Sequence, residues 1–355
     1  MKKHLKALLI FGCIAAVLFG GIMGATCVIM KSQFSRGNYP DDRSSEQTAF
    51  GWYPAFAAEH PREEVEFPSG DLMLKGWIYG AENTEKLIVF AHGIGSGHEA
   101  YVNQLCWFAD RGWCVFAYDA AGSGDSPGKS TVGLVQSALD LNSALDFAEQ
   151  DPRLKDMPKV LLGHSWGGYA VGGVLNFDHD IKAAVSLSGY AYPLEMLDQG
   201  AVYVLGETGA KLFHPFTALY NRLKFGKYAG LNAVDGINRS DIPVLVMHGE
   251  SDGFVLYNLG IISQQDKITN PDAEFEAITG DFAHHNDYFH SEECNRYVAE
   301  QFTGTEYTQE EKLAVFGYSP QYASDEEKVL FRAVNAPLLE RIDAFYEKAL
   351  NNQTP

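Results

Sequence analysis

Lys159-Val160-Leu161-Leu162-Gly163-His164-Ser165-Trp166-Gly167-Gly168 is the stretch that decides the fold. An apolar strand run, residues 159–162, leads into it, and a small-residue helical pattern, residues 167–174, leads out. Strand, G-x-S-x-G and helix in that order describe a sharp turn that strains the serine backbone and lifts its Oγ above the carboxyl edge of a sheet. Side chains two residues to either side would collide with neighbouring backbone, and Gly163 and Gly167 remove that collision. The five-residue pattern occurs twice more. In Gly124-Asp125-Ser126-Pro127-Gly128 the residue after the serine has no N–H to offer an oxyanion. Gly249-Glu250-Ser251-Asp252-Gly253 follows an apolar run but sets a carboxylate where negative charge must develop. Ser165 alone combines a preceding strand, a donor-competent neighbour and a small-residue helix, so it is the candidate nucleophile.

Outward from this turn, strand runs alternate with helical patterns. Residues 64–67 and 72–79 flank Pro68-Ser69-Gly70-Asp71, which has hairpin chemistry. Residues 87–91 and 114–118 are continuous apolar runs, as strands buried on both faces should be. A helix is expected up to Arg111 and another over residues 131–150, and further strands over 183–187, 243–247 and 273–278. This alternation predicts a mostly parallel sheet with crossover helices on both faces. Between Ser188 and Asp241 the alternation stops, and the aromatic-rich insert, at about 190–240, reads as a small helical cap that buries a core of its own and covers the site. Residues 336–350 read as an amphipathic helix closing the sheet, with Leu339, Ile342, Phe345 and Tyr346 inward.

A serine hydroxyl is a poor nucleophile at neutral pH; it needs a histidine to take its proton and a carboxylate to orient that histidine. Asp252 follows the strand over residues 243–247 and is the expected acid, with Glu250 the competitor nearer the strand end. After the last strand comes Gly280-Asp281-Phe282-Ala283-His284-His285-Asn286-Asp287. Two adjacent histidines cannot both point at Ser165; His285 is taken as the base, with His284 the alternative. A metal reading of His284, His285 and His290 lacks a supporting acidic pattern such as H-E-x-x-H, and no metal or cofactor is expected. The oxyanion hole should pair the N–H of Trp166 with one from the loop His92-Gly93-Ile94-Gly95, with Ile94 as donor.

The carrying motifs are His92-Gly93-x-Gly95, Asp119-x-x-Gly122-x-Gly124-x-Ser126, Gly163-His164-Ser165-Trp166-Gly167-Gly168 and Gly249-x-x-Asp252-x-x-Val255. On these, the body from about residue 62 to 350 resembles the α/β-hydrolase superfamily, in particular the branch of serine aminopeptidases, monoacylglycerol lipases and related esterases. The resemblance implies an α/β-hydrolase fold, the triad order Ser165, Asp252, His285, and a structural, turn-closing role for Asp119. Trp166, where that branch more often has Met or Tyr, and the long segment over residues 305–334 are departures from the pattern.

The chain of 355 residues carries a formal charge of −19. Its first 31 residues contain four lysines and no acidic residue, so the remainder holds 23 Lys and Arg against 46 Asp and Glu. Such a body argues against a nucleic-acid partner, which would require clustered basic residues. The five cysteines show no metal-ligand spacing and no disulfide framework; buried small hydrophobes is the reading for those of the body. Residues 7–30 are uncharged and apolar, about 36 Å as a helix and enough to cross a hydrocarbon core. With Lys2, Lys3 and Lys6 on one side, the expectation is a single-pass membrane anchor over residues 1–31, amino terminus in the cytoplasm and body outside. A cleaved signal peptide is the alternative. Residues 32–61 read as a tether and 62–355 as the catalytic domain.

Function then reads as a membrane-anchored serine hydrolase that cleaves carboxylic esters, acyl or lipid-like, through an acyl-enzyme. Two alternatives compete. A peptidase releasing amino-terminal residues from short peptides would need a carboxylate for the substrate ammonium, for which Glu195, Asp198 and Glu207 are candidates. A non-catalytic binding protein on the same frame would have no use for all three triad residues together. Sequence alone leaves substrate and oligomeric state open.

Overall fold

The computed structural model describes residues 2–36, 53, 56–302 and 325–352. Eight strands form one sheet: β1 (Arg62–Ser69), β2 (Leu72–Tyr79), β3 (Leu87–Ala91), β4 (Cys114–Tyr118), β5 (Lys159–His164), β6 (Ile181–Leu187), β7 (Val244–Gly249) and β8 (Ala273–Ile278). Their order across the sheet is β1-β2-β4-β3-β5-β6-β7-β8. β1 and β2 form the expected antiparallel hairpin, β2 runs antiparallel to β4, and all other pairs are parallel. The carboxyl ends of β3, β5, β6, β7 and β8 therefore share one edge, with β5 in the middle.

Helices cover both faces. They are α1 (Lys2–Gln33), α2 (Val102–Ala109), α3 (Gln136–Ala148), α4 (Trp166–Val174), α5 (Pro193–Phe225), α6 (Ala233–Arg239), α7 (Glu292–Phe302), α8 (Asp325–Arg332) and α9 (Ala336–Asn351). β3, β4, β5 and β7 are buried along their whole length, whereas the edge strand β8 is only half-buried, and alternate residues feed different cores. Val89, Leu161 and Val246 pack with Leu141 of α3, Val171 of α4 and Ile237 of α6. Phe90, Leu162 and Met247 pack on the opposite face with Leu105 of α2 and with Leu339, Ile342 and Phe345 of α9. Tyr346 of α9 also donates its hydroxyl to the Leu161 carbonyl of β5 at 2.6 Å. That closing helix is the one its apolar periodicity predicts.

Three expectations are corrected. The helix read over residues 131–150 begins at Gln136, because Thr131–Val135 forms a loop with Val132 at φ 66°. The insert is mostly one long helix, α5, broken at Gly206 (φ 68°, ψ 170°) and carrying Pro215, followed by α6; α5 buries only Pro193, Ala210, Thr217, Asn221 and Phe225. It holds no core of its own: Tyr190, just before it, stacks on Tyr169 in the main core at 4.6 Å, whereas Tyr203, Val204, Leu212 and Leu223 are exposed. The third is the start of the segment read as a tether. Phe34 is buried beside Gly133, its carbonyl accepts from Thr131 N–H at 2.9 Å, and the Arg36 guanidinium donates to the carbonyls of Ser126 (2.7 Å) and Gly124. Residues 37–52 lie outside the described residues, as do 303–324. Of the aromatic patch at 50–53, Tyr53 is described, and its ring lies 3.6 Å beneath the Arg62 guanidinium.

One helix, His4–Gln33, is long and apolar enough to cross a membrane. Its amino-terminal half is exposed, whereas Thr26, Met30 and Phe34, spaced by four, are buried against the body, and Phe19 meets Phe216 of α5 at 5.4 Å.

Candidate active site

Ser165 stands between β5 and α4 at φ 57°, ψ −113°, a backbone conformation that costs free energy for any residue with a Cβ. The turn is held by its surroundings. Ser165 N–H donates to the Leu187 carbonyl of β6 at 2.8 Å, and the Ser165 carbonyl starts α4 by accepting from Tyr169 N–H at 2.9 Å. A Cβ on Gly163 would lie 2.2 Å from the Gly167 carbonyl oxygen, and one on Gly167 only 1.9 Å from that of Ala91. Those contacts are the reason this strand and helix can meet so tightly.

Asp252 and His285 come to the same edge on loops after β7 and β8. His285 Nδ1 lies 2.7 Å from Asp252 Oδ2. The second Asp252 oxygen accepts from the N–H groups of Phe254 and Val255, both at 2.9 Å. Burial alone would raise the Asp252 carboxyl, but the hydrogen bond and charge of His285 and the Phe254 N–H outweigh it and hold it below the ordinary carboxylate range. An ionised Asp252 fixes the proton of His285 on Nδ1 and leaves Nε2 as the acceptor. The His285 ring lies 4.7 Å from that of His164, the residue before Ser165. Among the described residues no hydrogen bond joins Ser165 Oγ to His285; such bonds are commonly long until substrate is bound. The competing residues are engaged elsewhere: Glu250 is exposed, and His284 pairs with Asp287 at 2.9 Å with its side chain more than half exposed. The three histidines weighed as metal ligands thus have separate partners, His290 bonding the Phe331 backbone.

The loop after β3 is tied down at both ends. His92 Nδ1 donates to the Gly93 carbonyl at 2.7 Å, and its Nε2 accepts from Ala120 N–H at 2.9 Å. Gly93 N–H donates to Tyr101 Oη at 3.1 Å, so Ile94 is the next backbone donor along the loop. Trp166 is the first residue of α4, and N–H groups in a first helical turn have no partner within the helix. Its indole explains the departure noted above: it is fully buried and donates to the Leu134 carbonyl at 2.8 Å, fastening α4 to the loop over residues 131–135.

Two groups near the site escape a reading of the sequence, and a third, Asp119, takes the turn-closing role that the resemblance implied. His248, at the end of β7, donates from Nε2 to the Val255 carbonyl at 2.8 Å and lies 3.5 Å from Asp252 Oδ2, the oxygen that also faces His285. Its burial holds it below the ordinary imidazole value. Phe254 is exposed yet stacks on His285 at 5.4 Å and 26°, giving the histidine an apolar wall on the solvent side. Asp119 is fully buried and accepts from His98 Nδ1 and N–H (both 2.8 Å) and from Asp125 N–H (2.7 Å). Burial opposes its charge, but His98, His92 and the Asp125 N–H win and hold it well below the usual carboxylate range. Asp119 thereby closes the turn over residues 119–126.

Away from this edge, Asp146, Glu149 and His179 have ligand-type atoms within 4.8 Å of one another. Both His179 nitrogens are already engaged there, by Glu149 (3.2 Å) and Asn142 (3.1 Å), at the amino end of β6.

Comparison with known proteins agrees with the fold. The family model described as serine aminopeptidase, S33, matches residues 82–224. An uncharacterised protein of Escherichia coli K12, YfhR, is 27% identical over 226 residues, covering 60% of this chain and 68% of its own. The polyketide transferase grgF of Penicillium is 26% identical over 136 residues, 37% of this chain and 46% of that protein. Among solved structures, the esterase Pf2001 of Pyrococcus furiosus superposes with a TM-score of 0.51 at 20% identity, over 66% of this chain and 88% of the esterase.

Proposed function

We propose that this chain, which has the α/β-hydrolase fold and matches the serine aminopeptidase family model over residues 82–224, cleaves carboxylic esters of apolar acyl or lipid-like compounds with Ser165 as nucleophile. His285 Nε2 takes the Ser165 proton as Oγ attacks the ester carbonyl. The backbone N–H groups of Ile94 and Trp166 receive the oxyanion of the tetrahedral intermediate. Collapse expels the alcohol, which leaves with the proton from His285, and an acyl-serine remains. Water attacks that acyl group by the same route, with His285 again as base, releasing the acid and restoring Ser165.

The observation that carries this reading is the Asp252–His285 pair at 2.7 Å, brought from two distant loops to the edge where Ser165 is held at φ 57°. A binding protein on this frame would gain nothing from keeping a strained serine there. The apolar ring of Phe254 against His285 favours an apolar substrate group. The peptidase alternative is supported by the description of the matched family. Against it, Asp198 is paired with His214 at 2.7 Å, and Glu195 and Glu207 are exposed. No nucleic-acid partner or cofactor enters this reading. We further propose that α1 anchors the chain as a single span, with the hydrolase body on the side away from the cytoplasm.

The test is labelling of the full chain by a fluorophosphonate, followed by assay of esters of graded chain length and of aminoacyl amides. Labelling is expected in the wild type and absent in Ser165→Ala, with esters preferred. Labelling that survives Ser165→Ala would refute the nucleophile, and turnover of aminoacyl amides without esters would reverse the ranking in favour of the peptidase.

A further inference from the structure

His164 and Tyr101 are buried, polar and uninvolved in any chemical step above, yet they lie between the two halves of the site. Tyr101 Oη accepts from Gly93 N–H at 3.1 Å and lies 2.7 Å from His164 Nδ1. His164 Nε2 lies 3.0 Å from the backbone carbonyl of His285. A carbonyl oxygen can only accept, so Nε2 carries the proton. Desolvation by burial, with the nearby His285, holds the His164 imidazole well below its ordinary value, so Nδ1 is bare and the Tyr101 hydroxyl donates to it. The four groups therefore form one directed chain: Gly93 N–H to Tyr101, Tyr101 O–H to His164 Nδ1, His164 Nε2–H to the His285 carbonyl.

Packing leaves this chain little freedom. Phe289 meets the His164 ring edge-on at 4.8 Å and the Tyr101 ring at 5.6 Å, and Phe90 meets Tyr101 at 4.9 Å. A Cβ on Gly93 would stand 2.8 Å from Tyr101 Oη and 3.5 Å from Ser165 Cβ, so only glycine lets the loop after β3 approach both.

We propose that Tyr101 and His164 are positioning residues, which set the distance between the oxyanion donor of the loop after β3 and the base of the loop after β8. This rests on the reading of Ser165 and His285 as nucleophile and base. The chain starts one residue before Ile94 and ends on the backbone of His285 itself. Cutting it lets the two loops relax independently, and the misalignment is felt when the oxyanion forms rather than when substrate binds.

The experiment uses the full chain in detergent with p-nitrophenyl butyrate. Tyr101→Phe removes one hydroxyl and keeps the ring. Expected is a kcat lower by about tenfold to a hundredfold, with KM within about threefold and a folded protein whose unfolding temperature drops by only a few degrees, since Gly93 N–H and His164 Nδ1 lose a buried partner. His164→Ala should lose as much, and His164→Gln, whose amide can still donate towards His285, should recover part of it. The double variant Tyr101→Phe/His164→Ala should be no slower than the slower single variant, because both break one chain. A folded Tyr101→Phe enzyme with wild-type kcat, a loss confined to KM, or losses that simply multiply would overturn the proposal. Should Tyr101→Phe fail to fold, the contrast between His164→Gln and His164→Ala decides, equal losses in both overturning it. Fluorophosphonate labelling separates the two failures. If Ser165→Ala still labels, the nucleophile reading falls and takes this inference with it; if wild type labels at Ser165 while the relay variants are unaffected, this inference alone falls.

Discussion

Asp252 shows how much a single carboxylate is asked to do here. It fixes the proton of His285, and it accepts from two N–H groups that shape its own loop. Asp252→Asn keeps the shape but lets the ring take the wrong tautomer, so kcat for an ester should fall by roughly 10⁴-fold with the fold intact, read by steady-state kinetics beside near-UV circular dichroism. Ser165→Ala should cost more, on the order of 10⁶-fold, leaving only the background due to the oxyanion donors. Both candidates stand out in the sequence because each follows an apolar strand run in a glycine-flanked turn, and the sheet brings those turns to one edge. His285 was legible as one of two, since adjacent histidines carry no signal for direction; the separation comes from Asp287, which occupies His284. Tyr101 and His248 were not legible as parts of the site, for their partners, Gly93 N–H and His164 for one and the Val255 carbonyl for the other, are set only by the fold. A motif records the residues but not the carbonyls they will meet.

The elements that sequence periodicity read best are those whose surroundings are uniform. Strands buried on both faces need apolar side chains at every position, so their runs stand out wherever they occur. Thr131–Val135 misled because its helical pattern is overruled by tertiary contacts: Phe34 backbone on Thr131, and the Trp166 indole on Leu134. α5 misled for the opposite reason. Its aromatic content suggested a core, but several of its large side chains face outward beside α1. The junction after α1 gives a direct prediction. Phe34 is buried and Arg36 donates to three loop carbonyls, together worth about 3 kcal/mol from apolar burial and charged hydrogen bonds. A chain starting at residue 37 should therefore unfold several degrees below one starting at residue 31, by calorimetry. Equal transition temperatures would show that the junction contributes nothing.

At the scale of the whole molecule, the buried carboxylates set the response to acid. Asp119 and Asp252 both lie below the ordinary value in the folded protein. Each therefore adds stability that is complete above about pH 4, near the unfolded value, and is lost as pH falls through the lower folded value. Asp140, which burial raises, works the other way: its contribution is present at low pH and is lost as pH rises through its folded value. Chemical denaturation between pH 7 and pH 2 should show stability falling below about pH 4, and Asp119→Asn should flatten that fall while costing on the order of 3 kcal/mol at pH 7. An unchanged pH slope in that variant would remove Asp119 from the account. The general architecture was legible because alternation of strand and helix admits few topologies, whereas the pairing of surfaces far apart in the chain was not. One such pairing bears on how the protein is made. Tyr346 reaches the carbonyl of Leu161 in the central strand, and its helix shares with α2 the cover of one apolar face of the sheet. A nascent polypeptide that has not yet emerged beyond residue 335 therefore carries its serine on an unsupported strand.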